Sequence, residues 1–86
     1  MKVHYKPSFI RRLKRLDPKL QEEVIEKIEL FKTDPEHPQL KPHKLKGKFR
    51  GCYSFSVNYK IRILFEYVSE NEVVLLVVGS HAVYHA

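Results

Sequence analysis

The stretch Tyr53-Ser54-Phe55-Ser56-Val57-Asn58-Tyr59-Lys60-Ile61-Arg62-Ile63-Leu64-Phe65-Glu66-Tyr67 decides how this chain folds. Side chains along a strand point alternately to opposite faces, so a period of two in hydrophobicity marks a half-buried strand. Phe49, Tyr53, Phe55 and Val57 can line a core while Arg50, Cys52, Ser54 and Ser56 face outward; Ile61, Ile63, Phe65 and Tyr67 do likewise. Residues directly opposite in an antiparallel pair share a face, so odd-numbered positions must meet odd-numbered ones. Only a loop with an odd number of residues allows that. Asn58-Tyr59-Lys60 supplies one, putting Ser56 across from Arg62 and placing Arg50 and Arg62 together on the outward face.

Working outward from the hairpin, Ser69-Glu70-Asn71 reads as a turn. Val73 to Val78 is continuously apolar, which predicts a strand covered on both faces. Pairing Tyr67 with Val73 then puts Ser80 across from Lys60, and the chain leaves its last strand at Gly79-Ser80-His81, beside Arg62. Toward the N-terminus, Val3 and Tyr5 alternate with Lys2, His4 and Lys6 in a short strand ended by Pro7. Ser8 is placed to cap a short basic helix in which Phe9, Ile10, Leu13 and Leu16 recur at helical spacing. Asp17-Pro18 suits a second helix start: aspartate accepts otherwise unpaired amide hydrogens, and proline has none to leave unpaired. That helix runs to about Lys32, with Leu20, Val24, Ile25, Ile28 and Phe31 as its apolar stripe and Glu22, Glu23, Glu26 and Glu29 on the far side. The expected fold is α+β: an N-terminal strand and helical hairpin packed on a twisted, mainly antiparallel four-stranded sheet, with a short C-terminal tail or helical turn. Residues 1–86 are expected to form one domain.

Composition narrows the function. No apolar run approaches the roughly 20 residues a spanning helix needs, and no signal-peptide core follows the first residues, so the expected location is cytoplasmic, away from membranes. A single cysteine, Cys52, excludes an internal disulfide and a cysteine metal cluster. The net charge of +6 is unevenly spread. Residues 1 to 16 carry Lys2, Lys6, Arg11, Arg12, Lys14 and Arg15 without an acid, and residues 41 to 62 carry Lys41, Lys44, Lys46, Lys48, Arg50, Lys60 and Arg62 without an acid. Segregation of this kind favours a polyanion such as nucleic acid, or an acidic protein.

His43, His81, His85, Arg50 and Arg62 stand out chemically. RNA is cleaved if a base takes the 2′-hydroxyl proton, an acid protonates the departing 5′-oxygen, and a cation stabilises the phosphoryl charge. Imidazole titrates near neutral pH, and guanidinium stays charged and grips phosphate with paired hydrogen bonds. The run from Lys41 to Arg50 suits backbone contacts, and Tyr84 can stack a base or donate a proton. His81 and His85, four apart, would share a helix face, but no carboxylate or third ligand lies near them, so neither metal nor cofactor is expected. Phosphate-cradling glycine loops and serine or cysteine nucleophiles with a base at recognisable spacing are lacking.

Taken together, the basic strand-helix-helix start, Leu45-Lys46-Gly47, Arg62 within Lys60-Ile61-Arg62-Ile63-Leu64-Phe65-Glu66-Tyr67, and the ending Val78-Gly79-Ser80-His81-Ala82 resemble the RelE/ParE toxin superfamily. His43-Lys44-Leu45-Lys46-Gly47 and the Gly-Ser-His-Ala ending are most similar to its YafQ and YoeB groups of messenger-RNA interferases. The resemblance implies a ribosome-dependent endoribonuclease toxin of a type II toxin-antitoxin pair, which cuts messenger RNA in the ribosomal A site, contacts ribosomal RNA and is silenced by a cognate antitoxin. It implies acid-base catalysis by His81, phosphate stabilisation by Arg62 and a site role for His43, and extends more loosely to Lys46, Lys48 and Tyr84. Lys44, Arg50, Lys60, Arg11, Arg12 and Arg15 are the further RNA-contacting candidates, with His85 a weaker member of the catalytic set. Where YafQ-like chains carry another His and an Asp near the strand turn, this chain has Ser56, Asn58 and Tyr59. The general base is left open between His81, His43 and assistance from the lysine-rich loop. Two other readings share the fold: a ParE-like noncatalytic inhibitor of DNA gyrase, and a noncatalytic RNA-binding domain.

Overall fold

A computed structural model of the chain describes residues 1–80. Its elements run β1 (Lys2–Tyr5), α1 (Pro7–Arg15), α2 (Pro18–Thr33), β2 (His43–Lys44), β3 (Tyr53–Ser56), β4 (Ile61–Ser69) and β5 (Glu72–Ser80), with short 3-10 turns at Pro38–Leu40 and Gly47–Phe49. The fold is the expected α+β arrangement, with one more strand: the sheet has the order β1-β5-β4-β3-β2. β1 joins its edge parallel to β5, and the two-residue β2 forms the other edge against β3. At the β1 edge the His4 Nε2 lies 2.7 Å from the Glu72 carboxylate, and this hydrogen bond is the main reason that carboxyl titrates below its ordinary range.

Both helices cover one face. Phe9 from α1 and Val24, Ile28 and Phe31 from α2 meet Phe55, Ile63, Phe65, Val73, Leu75 and Val78 in one core, closed by Leu40. Phe31 sits at its centre, stacked on Phe55 at 4.5 Å and edge-on to Phe65 at 5.0 Å. Asp17 caps α2 as expected, accepting from the Leu20 amide at 2.9 Å. Asp17→Ala should cost about 1 kcal/mol of unfolding free energy, measurable as a shifted urea midpoint with an unchanged slope.

Four expectations change. Ser8 does not cap α1; the cap position is Lys6, with Pro7 opening the helix, and the Ser8 hydroxyl donates to the Leu76 carbonyl at 3.1 Å. Ile25 is 52% exposed, because α2 turns only the Val24, Ile28 and Phe31 edge of its stripe inward. Phe49 and Arg50 lie outside the strand, in a 3-10 turn and its exit, so Arg50 is not beside Arg62 on the sheet face. Gly47 and Gly51 take φ of +69° and +95°, which side-chain-bearing residues rarely adopt. The loop so formed brings Leu45 and Phe49 against Leu64, Cys52, Leu76 and Val77 on the sheet's second face. Ser54 and Ser56 are buried instead of outward and solvated.

The fourth change concerns register. Ser56 lies opposite Arg62, as loop parity requires. Tyr67 also meets Val73 as expected, but Phe65 pairs with Leu75 while Leu64 pairs with Val77, leaving Leu76 as an extra residue in β5. A bulge of this kind flips the alternation of the strand beyond it. Leu75 and Val78 can therefore both enter the core, while Leu76 and Val77 of the apolar run pack in the smaller cluster on the second face, so the run is covered on both faces as expected. Ser80 consequently faces Ile61 instead of Lys60, and Gly79 faces Arg62.

Candidate phosphate site on the second sheet face

Arg62 is half-buried on the face away from the helices. Its Nη1 donates to the Ser56 hydroxyl at 2.7 Å and to the Asn58 carbonyl at 3.0 Å. Those two bonds use both hydrogens of one nitrogen, and Nε and Nη2 make none among the described residues. A guanidinium held in this way keeps a pair of parallel donors for an oxyanion, already oriented and already charged. The bulge adds room, because the residue opposite Arg62 on β5 is Gly79, which has no side chain.

The holders of Arg62 are themselves fixed by the turn. Asn58 Oδ1 accepts from the amides of Lys60 and Ile61, both at 2.9 Å. An asparagine side chain that mimics a backbone turn in this way stiffens the hairpin tip. Ser56 and Asn58 thus orient the arginine, a role that sequence reasoning had not assigned to them. The available signal was the loop parity that set Ser56 opposite Arg62.

His43 pairs with Ser54, and Ser54 with Leu64, so register puts His43 on the same face as Ser56 and Arg62. Two strand spacings and two residues of rise separate the backbones of His43 and Arg62 by about 12 Å, a gap that two long side chains and a nucleotide can span. Lys44 lies on β2, Lys46 and Lys48 on the loop that follows, and Lys60 at the hairpin tip. Arg12 and Arg15 of α1 border a hollow of roughly 290 Å³ with Ile61, Gly79 and Ser80, so the basic helix meets the sheet at the Arg62 end. Arg11 is exposed and does not border it; Arg50 is exposed in its turn. His81, Tyr84 and His85 lie outside the described residues.

Cys52 is on this face too, its thiol 3.6 Å from the Glu66 carboxylate. Partial burial, and then the negative charge of Glu66, push the thiol's pKa up. The thiolate is the reactive form, so Cys52 is unsuited to act as a nucleophile. At pH 7.5 iodoacetamide should modify Cys52 in the folded protein more slowly than glutathione; a faster rate, followed by mass spectrometry, would contradict this assignment.

Residues 3–83 match the family model described as ParE toxin of type II toxin-antitoxin system, parDE. No curated protein matches the chain. Among solved structures it is similar to a copper-bound mutant toxin from Helicobacter pylori, at 30% identity and TM-score 0.66 over 95% of this chain and 96% of that one. YafQ from E. coli superposes with TM-score 0.80 at 13% identity, covering 99% and 98% of the two chains. A chain of a heterotetrameric YoeB-YefM toxin-antitoxin complex from Staphylococcus aureus superposes with TM-score 0.73 at 20% identity, covering 94% of this chain and 97% of that one.

Proposed function

The chain belongs to the ParE toxin family of type II toxin-antitoxin systems, within the RelE/ParE superfamily, and we propose that this toxin is an endoribonuclease that cuts messenger RNA in the ribosomal A site. The observation that supports this most is the Arg62 guanidinium, held by Ser56 and Asn58 with two nitrogens left toward a face where Gly79 leaves space. A toxin that worked only by protein contact would not need a donor pair prepared for phosphate.

In the proposed reaction a base removes the 2′-hydroxyl proton and O2′ bonds to phosphorus. The P–O5′ bond then breaks, and an acid protonates the departing 5′-oxygen. Arg62 donates to the phosphoryl oxygens as charge builds on them. His81, with the role its motif implies, and His43, on the Arg62 face, carry the proton transfers, and Tyr84 and His85 complete the candidate set. Lys44, Lys46, Lys48, Arg50, Lys60, Arg11, Arg12 and Arg15 hold messenger and ribosomal RNA by their phosphates, which makes binding steeply salt-dependent. The 86 residues act as one cytoplasmic toxin domain, and a cognate antitoxin silences it, as the YoeB-YefM pairing suggests by likeness.

The test is controlled expression in bacteria, with primer extension on a translated message and a parallel assay of DNA supercoiling. Codon-phased cuts that persist in a chelator-treated extract, together with growth restored by a co-expressed antitoxin, are expected. The family description names a ParE toxin, so the competing outcome is specific. Growth arrest with messages intact and gyrase supercoiling lost would overturn the endonuclease reading in favour of a gyrase inhibitor.

A further inference from the structure

Tyr59, at the tip of the hairpin between β3 and β4, is 80% exposed, the largest exposure of any big apolar or aromatic side chain among the described residues. An aromatic ring left in water forgoes the burial that such rings ordinarily gain, and here the turn beneath it is stiff. The Asn58 side chain holds the amides of Lys60 and Ile61 on the far side of Tyr59, and the Lys60 ammonium lies 5.6 Å from the ring centroid. Tyr59 therefore presents an exposed π-face on a stiff turn, with a cation beside it.

Beneath the ring is an open hollow of roughly 240 Å³, bordered by Lys27 of α2 together with Gln39, Lys41, Asn58 and Tyr59. Among the described residues two lysines line it and no carboxylate does. Lys41 holds φ at +46°, the one positive φ on a non-glycine residue among the described residues. Glycine or asparagine would adopt that conformation at less cost, so a lysine there needs an explanation from its side chain. The hollow also adjoins the phosphate site: Ser56 and Asn58, which hold Arg62, border both.

We propose that Tyr59, Lys27 and Lys41 form a second nucleotide subsite, in which a base of single-stranded RNA stacks on Tyr59 and the adjoining backbone phosphate lies between the two lysines. The neighbouring phosphate then falls to Arg62, so the hairpin sets the path of the strand across the site. Stacking of this kind is tolerant of sequence, because every base has a π-face, and Gln39 and Asn58 at the rim of the hollow could add a base preference. This subsite rests on the endoribonuclease reading but makes a separate demand on it.

Binding of a 5′-fluorescein-labelled, mixed-sequence oligoribonucleotide to the full chain, followed by anisotropy across a salt series, tests the subsite. Tyr59→Leu should weaken binding about tenfold, with Tyr59→Phe close to wild type. Lys27→Gln with Lys41→Gln should lower the slope of log K against log salt by about 0.7, as expected for losing one phosphate contact on a single strand. Thermal melts of each variant establish that it is folded. Binding that is absent in the wild type, or equal in Tyr59→Leu and wild type, overturns the subsite. So does a loss in Tyr59→Leu confined to antitoxin binding, which would make the patch a protein interface. The wider reading fails by a different result, a translated message left uncut by the wild-type toxin.

Discussion

Arg62→Ala is expected to slow cleavage of a translated message by about 10²–10³-fold, the loss typical of removing one prepared donor to a developing oxyanion. The substitution removes the charge, the donor pair and the restraint that Ser56 and Asn58 place on them. Arg62→Lys should recover only part of the rate. An ammonium supplies charge without the planar fork, so it cannot satisfy Ser56 and Asn58 and still present two parallel hydrogen bonds to phosphate. Single-turnover primer extension on programmed ribosomes measures both variants, and a melt for each separates lost chemistry from lost fold. Cleavage by Arg62→Ala at the wild-type rate would remove Arg62 from the site altogether.

Phe31→Ala should cost about 3–5 kcal/mol, the largest effect on stability expected of a single side chain here. Phe31 is fully buried, and its ring contacts join α2 to both β3 and β4 through Phe55 and Phe65. A loss of that size approaches the whole stability of many small domains, roughly 5–15 kcal/mol. Urea unfolding is then expected to show a midpoint near zero denaturant, and Phe31→Leu should keep much of the stability. Because the hairpin formed by the same two strands carries Ser56, Asn58 and Arg62, the variant should lose RNA binding along with its fold. A cost below about 1.5 kcal/mol, the usual limit for volume-conserving swaps, would show that the ring is not the centre of the core.

Several of these features were legible in the residues alone because they follow from local chemistry. Alternation over Tyr53 to Tyr67 gave two strands with Phe55, Val57, Ile63 and Phe65 turned into the core, although Tyr67 at the far end is 42% exposed, and an odd loop was enough to pair Ser56 with Arg62. Asp17-Pro18 opened α2 where a cap and a proline belong. The reading of Ser8 as a cap failed because Pro7 can open a helix itself, and the Ser8 hydroxyl found a better acceptor in Leu76. Ile25 was misread because an apolar stripe three and four residues apart is wider than the edge of α2 that the sheet can cover.

The candidate site divides along the same line. The sequence by itself determined that Arg62 would stand opposite Ser56 across one hairpin, since strand parity needs no third dimension. Only the tertiary structure decided what stands beside Arg62. Val73 to Val78 is apolar at every position, so its pattern reads the same in either register, and the choice was made by the core, which takes both Leu75 and Val78. Accommodating both forced Leu76 out as a bulge and turned Gly79 toward Arg62. The fold of Leu45 and Phe49 onto Leu64 likewise depended on residues far apart in the chain. Local patterning thus specified which residues could do the chemistry, and long-range packing specified the geometry in which they meet.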